Sequence, residues 1–156
     1  MAKSPIFSYP LAPHQPTILH CFDPGGTTGY CKLLSFPEKL VLLASEEFPS
    51  HIRLKEILHH RDGFNSIVVA ESFQHIHQDS KTISVEVLGY IKALCDTRFF
   101  HLHTQPPGER LFAKHRWEGI HKFPKLGKHS GDAFLHGLTA NVKLFNRYDF
   151  VFTDKR

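Results

Sequence analysis

Two short runs constrain the fold more than anything else in this chain. Ile18-Leu19-His20-Cys21-Phe22 and Ile67-Val68-Val69-Ala70 are apolar at successive positions rather than at alternate ones, and each ends in a carboxylate, Asp23 or Glu71. A strand with no polar face belongs inside a sheet that is covered on both sides, the usual situation of parallel strands in α/β domains. Between the runs lies Pro49-Ser50 followed by Leu54, Ile57 and Leu58, spaced as one helix face, with Ser50 as cap and Gly63 as terminator. A strand, helix, strand order implies a right-handed crossover. If the two runs are parallel neighbours, Asp23 and Glu71 emerge side by side at their carboxyl ends, where open α/β sheets place their sites.

The first run continues through Pro24-Gly25-Gly26-Thr27-Thr28 into Gly29-Tyr30-Cys31-Lys32-Leu33-Leu34, which restarts as a second strand, so the stretch reads as a hairpin. Its glycines suit a tight turn and close approach of a phosphate or metal-bound substrate. As a local reading, an Asp that merely caps a turn serves equally well. A third strand is expected over 39–48, a helix over 79–97 with Ile83, Val87, Ile91 and Leu94 as its apolar stripe, and a strand from Arg98 to Thr104. Asp79 or Ser80 can cap that helix, and Gly89 within it is expected to mark close packing. A final helix from His129 to Asn146 carries Leu135, Leu138, Val142 and Phe145 on its core face. Its polar stripe is His129, Asp132 and His136. Asp132 falls in the expected first turn, where it would also complement the helix dipole. Residues 148–152 are expected to add an edge strand or to dock apolar rings.

At 156 residues one domain with a real core is expected: a mobile tail over 1–16 and a folded domain over 17–156. Cys21, Cys31 and Cys95 have no C-x-x-C spacing and read as small buried hydrophobes in a reducing compartment. No apolar stretch reaches the length of a membrane span, and prolines at 5, 10, 13 and 16 break any signal-like segment, so a cytoplasmic protein is expected. Charge is uneven. Residues 97–156 carry 11 Lys/Arg against 5 Asp/Glu, whereas residues 1–96 carry 8 against 10. That asymmetry points to a polyanionic partner, nucleic acid above all, or else to a solvated basic face. Lys114, Arg116, Lys122, Lys125 and Lys128 form the basic segment, with Trp117 and Phe123 interleaved as in a surface that stacks bases, or as a charged loop over a small cluster around Trp117. His75/His77 and His101/His103 lack partner cysteines for a zinc site.

Three carboxylates, two ending strands and one opening a late helix, suit Mg²⁺ or Mn²⁺. Two such ions about 3.5–4 Å apart can activate a water and stabilise a leaving oxygen in phosphodiester hydrolysis. His129, one turn before Asp132, can complete the metal shell or assist proton transfer, and as an imidazole it favours Mn²⁺.

The layout resembles the RNase H-like superfamily, specifically the RuvC-type Holliday junction resolvases and their phage-encoded relatives. The resemblance spans about residues 17–146 and rests on Phe22-Asp23-Pro24-Gly25-Gly26-Thr27-Thr28-Gly29, Val68-Val69-Ala70-Glu71, Ser84-Val85-Glu86-Val87-Leu88-Gly89 and His129-Ser130-Gly131-Asp132-Ala133-Phe134-Leu135-His136. It implies an α/β domain with a five-stranded mixed sheet flanked by helices and a homodimer acting on branched DNA, nucleoid-associated or in the cytoplasm of a phage-infected host. It also makes Asp23, Glu71 and Asp132 metal-binding catalytic acids, with His129 where many relatives have a fourth acid. Three other readings compete: a YqgF-like RNA-processing nuclease, a non-catalytic nucleic-acid-binding module of the same fold, and an actin- or sugar-kinase-type ATPase. The last needs two such domains, and this chain supplies one.

Overall fold

The computed structural model describes residues 15–49, 51–59, 65–72, 82–119 and 122–156. Its elements are β1 (Thr17–Asp23), β2 (Thr28–Ser35), β3 (Lys39–Phe48), α1 (His51–Ile57), β4 (Asn65–Glu71), α2 (Thr82–Arg98), β5 (His101–Gln105), α3 (Glu109–Trp117), α4 (Lys128–Phe145) and β6 (Val151–Asp154). The strands form one six-stranded sheet in the order β5-β4-β1-β2-β3-β6. β1 pairs antiparallel with β2 and parallel with β4, as the hairpin and crossover readings require. The sixth strand is the carboxyl-terminal edge, β6, parallel to β3; it raises the expected count of five.

Both faces of the sheet are covered, and side-chain parity decides what each strand residue meets. Leu19 and Cys21 of β1 and Ile67 and Val69 of β4 pack into one cluster with Phe134, Leu138 and Val142 of α4 and Ala113 and Trp117 of α3. Phe22, Val68 and Ala70 point the other way, onto Leu54 and Leu58 and onto Val87, Leu88, Ile91 and Leu94 of α2. The three cysteines are free and buried. Burial pushes the thiols of Cys31 and Cys95 up to about 12, so they act as small hydrophobes.

Several expectations change. The 105–128 stretch is not a loop throughout, because α3 occupies its first half; Pro107-Gly108 precedes the helix, and Ala113 and Trp117, four apart, bury against α4. Trp117 is 2% exposed, donates its indole N–H to the Tyr148 carbonyl and packs at a tilt against Phe150, so it is core and offers no base-stacking platform. Phe123 likewise packs edge-on against Phe134. On α2, Ile83 is 56% exposed and does not continue the stripe of Val87, Ile91 and Leu94. Gly89 has open space around its Cβ direction, so it marks no close packing. The strand expected from Arg98 starts at His101, because α2 runs on through Arg98 and Phe99 takes a left-handed φ of 60°. The tail up to residue 14, Gly63, Asp79, Ser80 and His75/His77 lie outside the described residues. Gln15, assigned to the tail, is tied down: its side chain accepts from Asn65, and its carbonyl from Arg147.

Candidate metal and nucleic-acid site

Register and parity together build the site. β1 and β4 run in parallel with Leu19 opposite Ile67 and Cys21 opposite Val69. One step beyond the last pair, Phe22 and Ala70, the chains present Asp23 and Glu71 side by side, on the same face as Cys21 and Val69. That is the face covered by α4. Both carboxylates are largely buried, Asp23 at 8% and Glu71 at 4% exposure.

α4 brings the other two residues. Its first turn is pinned from three directions. Glu47 of β3 accepts the Ser130 backbone N–H at 2.8 Å, and this bond holds the Glu47 carboxyl below its usual range. Cys31 Sγ donates to the Ser130 carbonyl at 3.2 Å. Gly29 lies so close that a Cβ there would stand 2.0 Å from the carbonyl of His129. Because α4 starts at Lys128, Asp132 lies beyond the first turn, and the dipole-complementing role expected of it falls to Glu47 instead.

So placed, His129 Nδ1 is 3.0 Å from Asp23 Oδ2. Arg110 of α3 donates to Glu71 Oε1 at 2.8 Å and stands 3.7 Å from Asp132 Oδ2. The Asp23 carboxyl is pushed above its usual range, first by desolvation and further by the charges of Glu71 and Asp132, against the opposing pull of the His129 hydrogen bond. All four residues singled out in the sequence therefore meet in one place.

The donor set is three carboxylates and an imidazole, and the mutual repulsion felt at Asp23 is what a hard divalent cation relieves; the residues fit Mg²⁺ or Mn²⁺. Among the described residues, no three His, Cys, Asp or Glu side chains stand close enough together to hold an ion as they are placed. Arg110 stands between Glu71 and Asp132, where it would compete with an ion for the carboxylates.

Beside this group lie residues that the sequence did not single out as site residues. His136, fully buried, lies 2.9 Å by Nε2 from Glu71 Oε1. Its Nδ1 is 2.9 Å from Gln105 Nε2, and Gln105 Oε1 in turn meets His103 Nε2 at 3.1 Å. His103 is half-buried and bonded to Gln105, and desolvation holds it below the ordinary histidine range. The signal for His136 was its place on the polar stripe with Asp132; Arg110 carried none, since its helix was not foreseen. Lys114, Arg116, Lys122, Lys125 and Lys128 are all exposed, on α3, on the segment leading into α4 and at the first residue of α4. Lys114 and Lys128 line, with Asp132, Phe123 and Leu126, a groove of about 280 Å³ between those elements. The Arg116 guanidinium lies 5.1 Å from the Tyr148 ring.

No protein-family model matches the chain, and no curated protein matches it by sequence. Among solved structures, Thermus thermophilus RuvC in complex with a Holliday junction substrate superposes with a TM-score of 0.63 at 19% identity, over 83% of this chain and 95% of that one. The fold is RuvC-like. A second Thermus thermophilus RuvC structure gives 0.62 at 17% identity, over 83% of this chain and 97% of that one. The fowlpox virus resolvase complexed with Holliday junction DNA gives 0.55 at 14% identity, over 81% of this chain and 98% of that one. The RuvC-like fold thus spans nearly the full length of those chains.

Proposed function

We propose that this protein is a metal-dependent endonuclease that cleaves Holliday junctions or other branched DNA by two-metal phosphodiester hydrolysis. One observation carries the reading. Register and parity put Asp23 and Glu71 on the face of the sheet where α4 delivers His129 and Asp132. The RuvC-like fold, with neighbours described as Holliday junction complexes, supports the choice of substrate.

In this reading Asp23, Glu71, Asp132 and His129 hold Mg²⁺ or Mn²⁺. Ions bound there would supply an activated water and stabilise the leaving oxygen. The chain's own side chains prepare the place. His129 orients the Asp23 carboxylate through its 3.0 Å contact. Arg110 balances charge between Glu71 and Asp132, and it lies where it can turn to an incoming phosphate. Exposed Lys114, Arg116, Lys122, Lys125 and Lys128 engage the backbone of the DNA. A homodimer would present two such sites to the two strands of a junction, and exposed Ile83 and Val85 on α2 suit a subunit contact. The protein would then act in the nucleoid or in the cytoplasm of an infected host. No helix among the described residues is long and apolar enough to cross a membrane.

The test is incubation with Mg²⁺ or Mn²⁺ and end-labelled four-way junction, flap, linear duplex, RNA and RNA/DNA hybrid. Paired symmetric nicks in the four-way junction are expected. Cleavage of RNA alone would make the protein an RNA-processing nuclease, and metal-independent binding without cleavage would make it a binding module.

The basic segment predicts a salt effect. Replacing Lys114, Arg116, Lys122 and Lys125 together with Ala should weaken junction binding and flatten log affinity against log salt by about 0.9 for each phosphate no longer neutralised. A slope equal to that of the wild type, measured by fluorescence anisotropy across a salt series, would place the DNA elsewhere.

A further inference from the structure

We infer that His136, set in one tautomer by Gln105, is a positioning residue that fixes Glu71 for metal binding; the inference rests on the metal reading above and names residues that reading does not use.

The polar chain has only one consistent direction. Gln105 Nε2 is 3.1 Å from the backbone carbonyl of His136, which can only accept, so the amide nitrogen and not its oxygen faces α4. The same NH₂ group is 2.9 Å from His136 Nδ1, which must therefore present its lone pair. The ring proton is then on Nε2, and Nε2 donates to Glu71 Oε1 at 2.9 Å. At the other end Gln105 Oε1 accepts from His103 Nε2 at 3.1 Å, which locks the amide against flipping. Both Gln105 and His136 are fully buried, so water does not compete for these bonds.

The fold makes the arrangement possible. Glu71 and Gln105 are register partners on neighbouring parallel strands, and His103 lies two residues back on the same face of β5. His136 is one turn after Asp132 on α4, so one helix brings both an expected ligand and the group that orients another. Glu71 Oε1 receives two donors, His136 and Arg110. Oε2 is then the oxygen that serves an ion, and of the two donors only His136 is fixed on every side. Arg110 can leave without freeing the carboxylate to rotate. Partners of this kind behind a metal ligand are worth about 10–100-fold in metal affinity.

The experiment uses the full chain without DNA or turnover. Binding of Mn²⁺ alone is followed by electron paramagnetic resonance of the free ion, with thermal melts to establish folding. His136→Leu and Gln105→Leu are expected to weaken Mn²⁺ binding about 10–100-fold. His136→Gln, whose amide can still donate to Glu71, is expected to recover most of it. Nitrogen-15 spectra of the wild-type imidazoles are expected to show His136 carrying its proton on Nε2, and this readout needs no variant. Wild-type Mn²⁺ affinity in folded Gln105→Leu and His136→Leu, with loss in Glu71→Gln, overturns the inference alone. A proton on Nδ1 of His136 overturns it as well. Unaltered Mn²⁺ binding in Glu71→Gln removes both the inference and the metal reading beneath it.

Discussion

Asp23→Asn, Glu71→Gln and Asp132→Asn should each reduce single-turnover cleavage of a four-way junction by at least about 10²–10³-fold, the scale of losing one group that stabilises transition-state charge. Junction affinity should change little, because it comes from lysine and arginine contacts to phosphate rather than from the carboxylates. Stability separates this outcome from a trivial one. The Asp23 carboxylate is disfavoured by desolvation and by the charges of Glu71 and Asp132, so removing its charge should leave the melting temperature equal or higher in chelated buffer. Adding Mn²⁺ should raise the melting temperature of the wild type and not of Asp23→Asn, since only the former gains a ligand-linked term. His129→Ala belongs in the same series and is expected to lose most cleavage. Full cleavage by any one variant removes that residue from the site. Collective unfolding would return the acids to a purely structural role.

Gly29→Ala should be the most damaging change outside the carboxylates. A Cβ at this position would lie 2.0 Å from the carbonyl carbon and oxygen of His129 and 2.5 Å from the Ser130 nitrogen. These are backbone atoms in the first turn of a helix, so no side-chain rotation relieves the clash; β2 and α4 must separate. Overpacking of this kind costs about 1–3 kcal/mol even where side chains yield, and a backbone clash belongs at or above the top of that range. The displaced turn carries His129 and precedes Asp132, so cleavage should fall beyond what the stability loss explains. Gly26→Ala, in the turn before β2, is the control, since nothing lies within 4 Å of its Cβ direction. Gly137→Ala meets the tips of Leu33 and Cys21 at 2.6 and 2.7 Å, which can shift, and should be intermediate in urea denaturation. A Gly29→Ala protein with wild-type unfolding midpoint and activity would mean that contact with β2 does not set the start of α4.

How much of this was legible in advance depends on how local the signal is. β1, β3 and β4 follow directly from apolar runs and their punctuation, and α4 from its periodicity, since burial on both faces or on one stripe imprints itself on consecutive residues. The meeting of Asp23 with Glu71 was also readable, because parallel pairing and strand parity follow from chain order. α3 was not. Its basic residues and the prolines before it resemble a loop, and it is helical because Ala113 and Trp117 have a surface of α4 to cover. The same tertiary pairing took Trp117 from a surface reading into the core, and left Ile83 outside it.

By itself, then, the sequence determined on which strand ends and helix the candidate residues sit, since this depends on composition and period within single elements. Only the tertiary structure decided how they are held: Arg110 between Glu71 and Asp132, Glu47 on the first turn of α4, and the path from His103 through Gln105 and His136 to Glu71. Each of those contacts joins residues from different elements. Each depends on how closely helix and sheet approach, and glycines 29 and 137 set that distance through atoms they lack.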